Sequence, residues 1–153
     1  MIGSFEKNQT EKNNDIPLLL QPWKIILAED HVRFRSFIKA FLEAEDGLSV
    51  VGEADDGVHL LEICDCCVPD LIILDINMPR LPGLDAARRI KELHPGVKVL
   101  ILTMHNNKEY LQEAMALGAE GFLLKERVDT ELIGAIRKIL NGGTYITPLM
   151  AEG

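Results

Sequence analysis

Leu71-Ile72-Ile73-Leu74-Asp75 is an unbroken apolar run that ends on a carboxylate. A strand with one wet face alternates apolar and polar residues, whereas a run without alternation fits a strand buried on both faces, as in a parallel sheet covered by helices. The pattern recurs in Ile25-Ile26-Leu27-Ala28 leading into Glu29-Asp30, in Val99-Leu100-Ile101-Leu102 leading into Thr103, and in Phe122-Leu123-Leu124 leading into Lys125. All strands of a parallel sheet end on one edge, and open α/β sheets place their sites outside that edge, where strand order reverses. Three carboxylates, a hydroxyl and an ammonium group are therefore expected to meet there.

Outward from these runs, strand and helix signals alternate. Strands are predicted at 24–28, 49–54, 70–75, 97–103 and 120–124, with helices near 31–45, 57–67, 84–93, 107–117 and 129–141. Phe34, Phe37, Ile38, Phe41 and Leu42 recur at helical spacing in the first helix, as expected of a face laid on a core. Gly118 and the pair Gly142-Gly143 supply helix stops. Alternation at this spacing implies right-handed crossovers and a doubly wound α/β sheet.

At 153 residues and 47% hydrophobic, the chain fits one domain with a sizeable core. Residues 1–22 are expected to form a disordered N-terminal tail, since the first part is polar and aperiodic. With 24 acidic against 16 basic residues the net charge is -8, so no general attraction to nucleic acid or anionic lipid is expected. No run approaches the roughly 18 apolar residues of a spanning helix, and Leu18-Leu19-Leu20 lacks the length and basic flank of a signal peptide. A soluble, cytoplasmic protein without membrane contact is expected, which makes the glycosylation-like Asn8-Gln9-Thr10 a chance match. Cys64, Cys66 and Cys67 fall in one predicted helix with no His or Cys set to complete a metal site, and no chemistry is assigned to them.

Carboxylates forced together need a counter-charge, because two of them about 4 Å apart repel by about 4 kcal/mol at an effective dielectric of 20. A divalent cation relieves that repulsion, and oxygen-only ligation favours Mg²⁺, which commonly binds carboxylates together with a phosphate oxygen. Phosphoryl chemistry follows: Lys125 neutralises developing charge, Thr103 donates a hydrogen bond, and Asp75, at the centre of the edge, is the candidate nucleophile for an aspartyl phosphate.

Glu29-Asp30, Asp75-Ile76-Asn77-Met78-Pro79 with Gly83 beyond, Thr103 and Lys125 together resemble the receiver domain of bacterial two-component response regulators. The resemblance spans about residues 24–142. It implies a flavodoxin-like (βα)5 fold with five parallel strands in the order 2-1-3-4-5 and a receiver domain over 23–143. It further implies that Asp75 is phosphorylated, that Asp30, Asp75, Glu29 (through water) and the Asn77 carbonyl hold Mg²⁺, that Lys125 pairs with the acceptor, that Thr103 is the switch hydroxyl and that Phe122 is the rotating aromatic. Gly118 to Lys125 and Asn141 to Pro148 are similar to the NarL/FixJ (LuxR-type) subgroup, in which a linker and a DNA-binding helix-turn-helix domain follow the receiver. Residues 144–153 are then the start of that linker, and a receiver separated from its output domain is expected.

The implied function is a phosphorylation-controlled switch. It takes a phosphoryl group from a sensor histidine kinase, dimerises, and regulates transcription through the DNA-binding domain, being a phospho-acceptor rather than an enzyme. Two alternatives stand beside it. One is a protein-binding module, either a stand-alone receiver that acts without its own output domain or a pseudo-receiver, which loss of an acid or of the Lys would suggest, and none is lost; the other, an Asp-nucleophile phosphohydrolase, usually has a second acid two residues on, where this chain has Asn77. Taken singly, each residue has a plainer explanation: Glu29-Asp30 as a helix cap, Thr103 as a β-former, Phe122 as core, Lys125 as a solvated strand end, and His31 and His105 as structural neighbours. Two positions depart from the common family pattern. Glu126 replaces the frequent Pro, so a cis peptide is not implied, and Met104 replaces a small residue, which narrows access to Asp75.

Overall fold

The computed structural model describes residues 21–148. The expected tail up to residue 20, with its Asn8-Gln9-Thr10 and Leu18-to-Leu20 segments, and the expected linker from 149 onward lie outside the described residues. In chain order the elements are β1 (Trp23–Ala28), α1 (Val32–Glu43), β2 (Leu48–Ala54), α2 (Gly57–Cys66), β3 (Leu71–Asp75), α3 (Gly83–Leu93), β4 (Lys98–Thr103), α4 (Lys108–Ala116), β5 (Gly121–Leu124), a 3-10 turn (Lys125–Arg127), α5 (Val128–Leu140) and β6 (Tyr145–Ile146). The strands form one parallel sheet in the order β2-β1-β3-β4-β5-β6.

All five residues of β3 are buried, and successive residues serve opposite cores. Ile72 and Leu74 join Ile26, Ile101, Leu60, Leu84, Ile90 and Ala114 beneath α2, α3 and α4. Leu71 and Ile73 join Ile25, Leu100, Leu123, Ile38, Leu42, Leu132 and Ile136 beneath α1 and α5. Each fully buried Leu or Ile contributes about 1.5–3 kcal/mol through removal from water. A charge at Ile73 is therefore far more disruptive than one at a half-wet strand position. The N-cap of α1 is His31, with no side-chain hydrogen bond to the helix. Glu29 and Asp30 thus stand outside that helix.

The five predicted strands are present in the predicted order, and the sheet continues one strand further. After α5, Gly142 at φ +95° turns the chain back along the free edge of β5. The Tyr145 amide donates to the Glu120 carbonyl at 2.9 Å and the Thr147 amide to the Phe122 carbonyl at 3.0 Å, while the Leu124 amide donates to Thr147 Oγ1 at 3.0 Å. Part of the stretch predicted as linker therefore closes the sheet, through a strand of two residues, too short to give a periodic signal. No cis peptide occurs among the described residues. Nor is any described helix long and apolar enough to cross a membrane.

Candidate functional site

Register brings the charged strand ends together. Ala28 pairs with Leu74, so Glu29 lies beside Asp75; Asp75 pairs with Leu102 and Thr103 with Leu124, so Thr103 and Lys125 end the neighbouring strands at nearly the same level. Beyond Asp75 the chain must fold back sharply. Gly83 permits this: its amide donates to the Ile76 carbonyl at 2.9 Å, and a Cβ there would stand 2.1 Å from the Asp75 carbonyl oxygen. Arg80 takes a left-handed φ of 67° in the same loop and pairs with Asp56 Oδ2 at 3.0 Å.

At the centre, Lys125 Nζ lies 2.6 Å from Glu29 Oε1 and 3.1 Å from Asp75 Oδ2. The Asn77 amide donates to Asp75 Oδ1 at 3.2 Å. One carboxylate oxygen each from Glu29, Asp30 and Asp75 lies within 4.8 Å of the other two. Glu29 and Asp75 are buried, Asp30 half-buried. Burial first, and then the adjacent Asp75 carboxylate, push the Glu29 carboxyl up to about 7 against the opposing pull of Lys125. One ammonium cannot balance three carboxylates. Glu29 Oε2 and Asp30 Oδ1 are buried without a hydrogen-bond partner, an arrangement that costs free energy unless a cation accepts them. Three convergent oxygen donors without nitrogen or sulfur suit a hard divalent cation such as Mg²⁺.

Two further predicted residues stand apart from this cluster in their contacts. Thr103 is fully buried, but its hydroxyl serves the loop after β4: it accepts from the His105 amide at 3.1 Å and donates to the His105 carbonyl at 3.4 Å. Phe122 is fully buried in the core beneath α2, α3 and α4. Cys64 is buried, Cys66 exposed and Cys67 half-buried, all as free thiols. Burial pushes the Cys64 thiol up to about 11, so it stays protonated and inert at neutral pH.

Lys125 and Glu29 also border a cleft of about 430 Å³, walled by His31, Phe34, Met104 and Glu126. Met104 is 69% exposed on that wall, next to the expected route of access. Two residues here carry no site signal in the sequence. Arg35 Nη1 donates to the Glu29 carbonyl at 2.6 Å, and the Phe34 ring centroid lies 5.0 Å from Lys125 Nζ.

Comparison with known proteins agrees with this geometry. Residues 25–137 match the family model for the response regulator receiver domain. The chain is 38% identical over 125 residues to the transcriptional regulatory protein DegU of Brevibacillus brevis, covering 82% of this chain and 53% of DegU. It is 40% identical over 128 residues to the oxygen regulatory protein NreC of Staphylococcus carnosus, covering 83% and 59%. The chain thus spans little more than half the length of these curated relatives. Among solved structures, a LuxR-family two-component response regulator from Aurantimonas superposes with a TM-score of 0.82 at 30% identity, over 86% of this chain and 94% of that one. The isolated receiver domain of RcsB from Salmonella enterica serovar Typhimurium, solved with the phosphomimetic BeF3-, gives 0.80 at 27% identity over 86% and 98%. A parallel sheet with its acids, hydroxyl and lysine gathered at one edge, and a family match spanning all of them, make this chain a member of the response regulator receiver domain family, with relatives of the NarL/LuxR type.

Proposed function

We propose that this receiver is a phosphorylation-controlled switch whose acceptor is Asp75. The observation that carries the proposal is the pair of partnerless buried oxygens on Glu29 and Asp30, facing an Asp75 already engaged by Lys125. Glu29, Asp30, Asp75 and the Asn77 carbonyl would hold Mg²⁺. When bound, the ion neutralises the clustered carboxylates and the oxygens of an incoming phosphoryl group. A carboxylate oxygen of Asp75 forms the new O–P bond as the donor's N–P or O–P bond breaks, and the electron pair of that bond leaves with the donor. Lys125, already beside Asp75, follows the charge onto the phosphoryl oxygens. Thr103 then leaves its bonds to His105 for the same oxygens, and Phe122 turns into the space released.

In the cell the donor is a sensor histidine kinase and the protein is cytoplasmic. The kinship with regulators named for transcription supports a DNA-binding output domain in the full-length protein, brought into pairs as phosphorylated receivers dimerise. On this reading the receiver begins near residue 23 and extends past 143 to take in β6 and Thr147, and the chain is an acceptor with at most weak self-catalysed phosphoryl transfer.

Intact-mass spectrometry after incubation with acetyl phosphate tests the assignment. One labile phosphoryl adduct is expected with Mg²⁺ and none with EDTA. Asp75→Asn should lack the adduct, and Asp30→Ala should need far more Mg²⁺. An unchanged adduct on Asp75→Asn would reject Asp75 as the acceptor.

A further inference from the structure

The Lys125 ammonium has three donors, and carboxylates occupy two of them, at 2.6 Å and 3.1 Å. On the side of the cleft it faces an aromatic ring. The Phe34 centroid is 5.0 Å from Nζ, inside the distance at which a ring's negative face attracts a cation. The Lys125 side chain is only 9% exposed. Phe34 is half-buried and belongs to a run of aromatics on α1: it stacks on Phe37 with centroids 6.3 Å apart, and Phe37 meets Phe41 edge-on at 4.9 Å. The ring thus has an aromatic neighbour on its own helix while it lines the cleft.

We propose that Phe34 is a positioning residue that holds the Lys125 ammonium over Asp75 by a cation–π contact. This rests on the acceptor role proposed for Asp75. An ammonium on a four-carbon stem has many rotamers, and the short bond to Glu29 draws it away from the acceptor. The ring limits its travel toward the cleft without offering a competing acceptor oxygen, and it occupies a place where water would otherwise solvate the charge. The ammonium thus stays within reach of the phosphoryl oxygens as charge develops on Asp75. An aliphatic side chain of similar volume would fill the same space but lacks the negative face.

The test compares Phe34→Tyr, Phe34→Leu and a protein carrying 3,4,5-trifluorophenylalanine at position 34, which keeps the ring's shape and withdraws its electron density. Two readouts are taken: the NMR shift of the Lys125 side-chain methylenes, and the rate of Asp75 phosphorylation by acetyl phosphate with Mg²⁺ saturating. In wild type and Phe34→Tyr, the methylene next to Nζ should be ring-shifted upfield and the rates similar. In Phe34→Leu the ring shift should vanish and the rate fall about fivefold, the scale of one cation–π contact, with an intermediate rate for the fluorinated ring. The Mg²⁺ concentration for half-saturation, measured with the metal alone, should stay unchanged. A wild-type rate in Phe34→Leu overturns the proposal, as does a fluorinated protein at wild-type rate beside a slowed Phe34→Leu, which would mean that the ring acts only as filler. A wild type that takes up no phosphoryl group overturns the acceptor assignment instead, and the methylene shift then decides by itself whether the ring holds Lys125.

Discussion

Glu29 has the chemistry most altered by its surroundings. Its folded-state carboxyl lies at about 7 against an ordinary 4.5, chiefly because it is buried and has Asp75 beside it. A group raised in this way binds its proton more tightly folded than unfolded. Its contribution to stability is therefore full below about 4.5 and is lost as pH rises through about 7. In EDTA, the urea midpoint of the wild type should fall across that window, whereas Glu29→Gln should give a flatter profile; parallel profiles would show that Glu29 is not the titrating group. The charged residues of the site are legible in the sequence for a simple reason: a carboxylate or ammonium ending an apolar strand has no packing explanation. Phe34 is not legible, because a Phe at helical spacing reads as core whether its face meets a leucine or an ammonium. The bonds of Thr103 to His105 are equally hidden, since they depend on how the loop after β4 closes.

Among the elements, β6 and the loop after β3 show where local signals stop. Both faces of β3 can be read from its composition, but β6 exists because α5 ends beside the open edge of β5. Besides its backbone bonds it is held by a side chain just beyond it, Thr147, whose hydroxyl oxygen accepts from the buried Leu124 amide at 3.0 Å. Thr147→Val keeps the shape and strands that amide, which should cost about 1–3 kcal/mol in chemical denaturation, whereas Thr147→Ser should retain most of the stability. Full stability in Thr147→Val beside a loss in Thr147→Ser would show that the methyl group, not the hydroxyl, is what matters. The loop carrying Asn77 is held differently, by Arg80 in a left-handed conformation paired with Asp56. Arg80→Ala and Arg80→Gly both lose the ion pair, but only glycine adopts φ 67° freely. The glycine variant should therefore be the more stable of the two by about 1 kcal/mol, the usual cost of left-handed backbone in an L residue. A difference near zero would mean that the loop relaxes out of that conformation once Arg80 is gone.

Across the whole molecule, a small change at one sheet edge must alter a surface without unfolding two cores. Phe122 fully buried and Thr103 tied to its own loop describe one arrangement; the proposed phosphorylated arrangement needs both to move. Shifting such a pair of states from 1:99 to 99:1 takes about 5.5 kcal/mol of differential interaction, within reach of a few charge-assisted hydrogen bonds formed only on the phosphoryl oxygens. Association of two such molecules also meets electrostatic resistance, because each carries a net charge of -8. Repulsion between exposed charges is screened beyond about 10 Å at 0.1 M salt. Light scattering with and without beryllofluoride should therefore show mimic-induced dimerisation in the wild type, strengthened by added salt up to moderate ionic strength, and little or none in Thr103→Ala. Identical association by the wild type and Thr103→Ala would remove Thr103 from the switch. Association weakened by salt would mean that the dimer is held by exposed ion pairs, and that local complementarity outweighs the net charge of the two copies.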